Sequence, residues 1–184
     1  MNTTLYHTNF LDLKSTTTKA GSPWFYAHRP NASDVVVILP TTIDEVLFMI
    51  EERPPMQAEG RGQYTIGLAA GLVGDERQGE TIEDAIKAEL LEETGLQADS
   101  IKIMTKNTAS SAGCTSETFA IAIANIKDKK EIQTPIDDGG IIVERVWVKK
   151  NNIRNWLATK EKEGYVLTAQ MLAALFYLTE LEII

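Results

Sequence analysis

The segment from Gly79 to Leu96, GETIEDAIKAELLEETGL, places six carboxylates among seven aliphatic side chains in eighteen residues. Thr81 is an N-cap residue with Asp84 three positions on, and Gly95 is a C-terminal stop, so the spacing predicts a helix over 81–94. At about 100° per residue, Ile82, Ala85, Ile86 and Glu89 fall in one arc. That arc is the apolar stripe that packs inward. Its continuation by three and four residues lands on Glu92 and Glu93, whereas Glu83, Asp84 and Lys87 lie off it as solvated surface. Three carboxylates on a half-buried face repel one another and lose hydration, so they must take up protons or a cation. An oxygen-only donor set suits a hard divalent ion, Mg2+ or Mn2+. Zinc is disfavoured, because the chain has only two histidines and neither is near.

The rest of the chain suggests strands before the helix and strands and helices after it. Residues 1–30 are rich in Thr and Ser and carry the cluster Trp24, Phe25, Tyr26, read as short strands of an N-terminal flap. VVVIL (35–39) and VLFMI (46–50) read as buried strands with TTIDE as their hairpin connection. RPPMQAEGRGQ reads as a loop. YTIGLAAGLV (64–73) reads as one extended run whose two glycines, Gly67 and Gly71, signal a close approach to the backbone. Strands are expected at 101–104, 117–124 and 142–148, and helices at 152–160 and 167–181. This order favours an α+β fold, a mixed-sheet sandwich, over a regular βαβ repeat. The division expected is a flap over 1–33, with a role in dimerisation, and a main domain over 34–184.

Composition excludes several classes of function. The 184 residues carry a net charge of −8, which leaves no basic surplus for a nucleic-acid backbone. A small anionic ligand remains compatible, since a divalent metal supplies positive charge locally. The single cysteine, Cys114, rules out a disulfide framework and has no neighbouring base to activate it. With no signal-peptide pattern and no long apolar span, the chain reads as a cytoplasmic protein without a membrane partner.

The acidic helix resembles the signature of the Nudix hydrolases. Gly74, Glu80, Glu89, Leu90, Glu92, Glu93, Gly95 and Leu96 match eight of its nine fixed positions over 23 residues; the ninth, an arginine in the family, is Ala88. GLAAGLV (67–73) is similar to the E-L-P-A-G-L-I segment of the ADP-ribose pyrophosphatase branch, with Gly67 where that branch has glutamate. EERPP (51–55) resembles its Q-Y-R-P-P stretch, SAGCTSE (111–117) its S-P-G-x-S-D-E loop, and LTAQMLAALFYL its final helix.

The resemblance implies a Nudix-type α/β/α sandwich and a homodimer. It implies hydrolysis of the pyrophosphate bond of a nucleoside diphosphate sugar such as ADP-ribose, with Mg2+ or Mn2+ as cofactor. The metal set would be Glu89, Glu92, Glu93 and the backbone carbonyl of Ala70, with Glu80 in support. Arg53 would contact substrate phosphate, and Glu117 would lie in a substrate loop. Trp24 would either stack on a base or pack a core or dimer contact. The general base would come from the late acidic loop, with Asp137, Asp138 and Glu144 as candidates, or the metals would suffice. Two alternatives stand beside this reading: a house-cleaning nucleoside triphosphate pyrophosphohydrolase, and a Nudix-fold ligand sensor that has lost catalysis.

Overall fold

The computed structural model describes residues 2–74, 79–136 and 141–182. Strands β1 (Thr3–Tyr6), β2 (Asp12–Thr17) and β3 (Pro23–His28) form a three-stranded antiparallel sheet of their own. Strand β3 also leans on the 110–117 loop. Ala27 N–H donates to the Cys114 carbonyl at 2.8 Å, Ser116 N–H donates back to Ala27, and the Trp24 indole donates to Gly113.

Among the described residues, the main sheet has eight strands. Strand β4 (Asp34–Thr41) runs parallel to β9 (Thr118–Asn125), which pairs in turn with β8 (Ser100–Ala109). Strand β5 (Glu45–Glu52) follows β4 through a hairpin closed by the Thr42 N–H to Glu45 carbonyl bond. The two strands share only the Thr41–Val46 position before they part. Short helix α1 (Pro54–Ala58) then leads into β6 (Tyr64–Gly67) and β7 (Ala69–Val73). Strand β6 pairs with β5, and β7 pairs with β4, so the chain crosses the opening between them at Leu68. The sequence predicted one strand over 64–73. Two form because each half finds a different antiparallel partner. The sequence also predicted a loop over 53–63, whereas Pro54 and Pro55, with φ fixed near the helical value, start a helical turn there.

Helix α2 (Ile82–Thr94) covers one face of the sheet. The other face takes α3 (Ile153–Lys162), preceded by a 3-10 turn (Lys150–Asn152), and α4 (Ala169–Glu182). Strand β10 (Ile142–Lys149) pairs along β5, and β11 (Val166–Leu167) edges β6 in parallel. This is the expected mixed-sheet α+β sandwich. It also explains the unbroken apolar run of β4: Val36 and Ile38 face the α2 core, while Val37 and Leu39 face the α3/α4 core. No helix among the described residues is long and apolar enough to cross a membrane.

Helix α2 has the predicted ends. The Thr81 hydroxyl accepts from Asp84 N–H, and Gly95 adopts φ 70°, closing on the Leu91 carbonyl. Its buried anchors are Ala85, Ile86, Leu90 and Thr94. Leu90, 1% exposed, fills the core beneath the glutamates. Replacing Leu90 with Ala is expected to cost about 2–5 kcal/mol, read as a shift in the urea midpoint at unchanged slope.

Candidate active site

Strand β7 passes directly beneath α2, and the fit between them sets the acidic face. Glu89, Glu92 and Glu93 are half-buried, whereas Glu83, Asp84 and Lys87 are exposed, as the helical phase predicts. The Glu93 carboxylate accepts a hydrogen bond from Ala70 N–H at 3.0 Å. Gly71 leaves room for Glu89. A Cβ at that position would lie 1.8 Å from Glu89 Oε1 and 1.9 Å from its Cδ, far inside contact distance. Gly74, at φ 84°, donates its N–H to Glu80 Oε2 at 3.0 Å, so Glu80 clasps the turn leaving β7. The two glycines therefore do different work. Gly71 seats a carboxylate, and Gly74 makes a left-handed turn that Glu80 holds.

The electrostatics of this face follow from burial. The Glu93 carboxyl is pushed up to about 8, first by desolvation. The Ala70 N–H opposes the rise, the negative charges of Glu89 and Glu51 add to it, and Arg53 relieves part of it. At neutral pH the metal-free protein thus holds a proton at Glu93. Among the described residues, no three side chains already converge as a metal cluster. The donor set nonetheless fits a hard divalent ion. It consists only of carboxylate and backbone oxygens, and a cation would displace the Glu93 proton and offset the mutual repulsion.

Beside the acidic strip, a cavity of about 470 Å3 opens where β4 and β5 diverge. Ala70 and Gly71 form the wall it shares with the glutamates, and Arg53 and Glu117 also line it. Glu117 Oε2 accepts from Arg29 Nε at 2.7 Å. The structure therefore brings together Ala70, Glu89 and Glu93 by direct contact or close approach, with Arg53 and Glu117 on the adjoining cavity.

Other predicted residues lie elsewhere. Trp24 is outside that cavity, held over the 110–117 loop by its bond to Gly113. Glu144 is exposed on β10 and faces the α3 side. Its charge acts on Lys160, whose ammonium is held above its ordinary value first by the hydrogen bond to Glu163 and, as a lesser contribution, by Glu144. Asp137 and Asp138 lie outside the described residues.

Three charged residues at the site were not singled out from the sequence. Glu51 lines the cavity from β5 and binds Arg53. Arg29 pairs with Glu117. Arg145 reaches from β10 to the backbone of α2, where its Nε donates to the Glu93 carbonyl. Its buried Nη2 has no hydrogen-bond partner among the described residues. A signal existed for two of them. Glu51 continues the alternation of Leu47 and Met49, and Arg145 sits in phase with Trp147, so both are charges placed where an inward apolar side chain is due.

The fold and the acidic strip over β7 define a Nudix-type hydrolase, an enzyme acting on pyrophosphate bonds. The family model for the NUDIX domain matches residues 29–170, and the chain belongs to that family. A solved structure described as an ADP compounds hydrolase superposes with a TM-score of 0.72 at 18% identity, covering 98% of this chain and 90% of its own. At that identity the likeness is one of fold. None of the curated proteins compared with the chain matches it.

Two outcomes test the site. Gly71→Ala is expected to displace Glu89 and weaken Mn2+ binding by roughly tenfold or more, read by calorimetry. The second concerns pH. Between the ordinary carboxylate range and about 8, the folded protein holds a proton at Glu93 that the unfolded chain has released. Stability of the metal-free protein therefore falls as pH rises through that window. Thermal melts across pH should show the decline, and Glu93→Gln should remove it.

Proposed function

We propose that this Nudix protein hydrolyses the pyrophosphate bond of a nucleoside diphosphate sugar such as ADP-ribose, giving a nucleoside monophosphate and a sugar phosphate. The observation that carries the reading is the shared wall. Ala70 and Gly71 back the glutamates of α2 on one side and line the 470 Å3 cavity on the other. A pyrophosphate at that wall has carboxylate chemistry beside it and room for a nucleoside or sugar in the cavity. The name of the structural neighbour, an ADP compounds hydrolase, agrees with this substrate class.

Mg2+ or Mn2+ held by Glu89, Glu92, Glu93 and the Ala70 carbonyl would neutralise phosphate oxygens and acidify water. The chain's own groups do the positioning. Ala70 N–H orients Glu93, and the absent side chain at Gly71 admits the Glu89 carboxylate. Arg53 takes a phosphate oxygen, and Glu117, braced by Arg29, reaches the bound nucleoside or sugar. Water adds to one phosphorus, and the bridging oxygen departs with the other phosphate. Asp138 is our choice to receive the proton from that water, because Glu144 is exposed on β10 and does not line the cavity.

With Mg2+ and ADP-ribose, Glu92→Gln and Glu93→Gln are each expected to lower kcat/KM by roughly 10²-fold or more. Full activity in either variant would remove that residue from the site. Asp138→Asn should flatten the acid limb of the pH–rate profile, and Glu144→Gln should leave it in place.

A second reading, a Nudix-fold sensor, is favoured by Ala88 in place of the family arginine and by Gly67 in place of the branch glutamate. Tight ADP-ribose binding in Mg2+ without turnover would establish it over hydrolysis.

We also propose a homodimer in the cytoplasm, formed through the N-terminal sheet. That sheet and its β1–β2 turn expose Leu5, Tyr6, Phe10, Leu13, Trp24 and Phe25, with Phe10 at 81%. Side chains so apolar in one small sheet fit burial against a second copy. Equilibrium sedimentation should give twice the chain mass, and Phe10→Asp combined with Phe25→Asp should give the monomer.

A further inference from the structure

Glu51 is a buried acid with an exposed partner. Its side chain is 3% exposed, on a strand whose neighbouring inward positions are Leu47 and Met49. Arg53, two residues on, is 43% exposed and grips both carboxylate oxygens: Nη2 donates to Oε1 at 2.8 Å and Nε donates to Oε2 at 3.3 Å. The Thr65 hydroxyl, from the facing strand, lies 3.5 Å from Oε2. Burying a carboxylate at such a strand position is costly, and an apolar side chain would pack there without that cost. The pair lines the cavity together with Ala70 and Gly71.

Gly67 explains how the acid fits. A Cβ there would meet Glu51 Oε2 at 3.1 Å and the Thr168 side chain at 3.7 Å, so the Glu51 carboxylate fills the space that a residue-67 side chain would take. Strand register makes this a diagonal relation, since Glu51 pairs with Thr65 and Met49 with Gly67 on one face of β5–β6. A side chain at position 67 would therefore press on the Glu51 carboxylate. The Nudix branch that this chain resembles has glutamine and glutamate at those two positions, and here they are glutamate and glycine.

We propose that Glu51 is a positioning residue that has taken over this place on the cavity wall and holds the Arg53 guanidinium in a fixed orientation toward a phosphate of the substrate. The proposal rests on Arg53 being the phosphate contact. A free arginine loses rotamer freedom when it clamps an anion. Glu51 imposes that order beforehand, occupying one edge of the guanidinium and leaving its other N–H groups for the ligand.

The test uses the full chain, with ADP and Mg2+ as the calorimetric probe and ADP-ribose as the substrate. Glu51→Gln is expected to weaken ADP binding and raise KM by roughly tenfold, with kcat little changed. Arg53→Lys keeps the charge but cannot span both oxygens, so it should weaken binding similarly, and adding it to Glu51→Gln should cost little more. The exchange Glu51→Gln with Gly67→Glu should restore the lost affinity. Wild-type ADP affinity in Glu51→Gln overturns the proposal, as does a loss of kcat at unchanged KM that the exchange does not rescue. Should Glu51→Gln melt at growth temperature, unchanged binding in Arg53→Lys overturns it equally. If the unaltered protein binds ADP but leaves ADP-ribose intact, the hydrolase reading fails and the binding series alone decides for Glu51. If the unaltered protein binds no ADP, the positioning role fails too.

Discussion

Strands β4 and β5 are joined by a tight turn, yet they share one paired position, Thr41 with Val46, before they part. The opening between them exposes strand edges, and backbone groups there need partners. Residues 64–73 supply them by pairing first with β5 and then, past Leu68, with β4. That crossing carries Ala70 and Gly71 under α2 and leaves the cavity beside them. The site exists because the sheet is split, and the split is stable because both of its faces are covered by helices.

Within that frame the charges stand in a graded arrangement. Glu93 is desolvated by burial, which raises its proton affinity, and it is tied to the backbone of β7. Glu89 depends on a glycine for its seat. Glu51 is buried but neutralised by Arg53, and Glu117 is neutralised by Arg29. Cationic side chains, Arg53 and Arg29, thus stand along the cavity, whereas carboxylates crowd the strip beneath α2. A hard cation suits that oxygen-rich strip, and the cavity's guanidinium groups suit a phosphate.

Much of the helix was readable from the chain. Caps act through neighbouring residues, so Thr81 and Gly95 mark its ends without reference to the fold. Helical periodicity separates Glu83 and Asp84 from Glu89, Glu92 and Glu93 for the same reason. The two-faced burial of β4 is likewise visible as an uninterrupted apolar run. The break at Leu68 was not visible, because nothing local distinguishes a strand that changes partners from one that keeps them. The roles of Glu51 and Arg145 were hidden in a different way. Each is an inward charge whose partner is set by strand register or by the packing of a helix on the sheet.

By itself, then, the sequence determined the acidic helix, the spacing of its glutamates and membership of a family that uses such helices. Those properties depend on contacts within a few turns and on a fixed residue count. Tertiary structure decided which acids are desolvated, which glycine makes room for a carboxylate, and which arginines face the cavity. Those properties depend on what lies across the sheet, and strands distant in sequence meet only once the fold has closed.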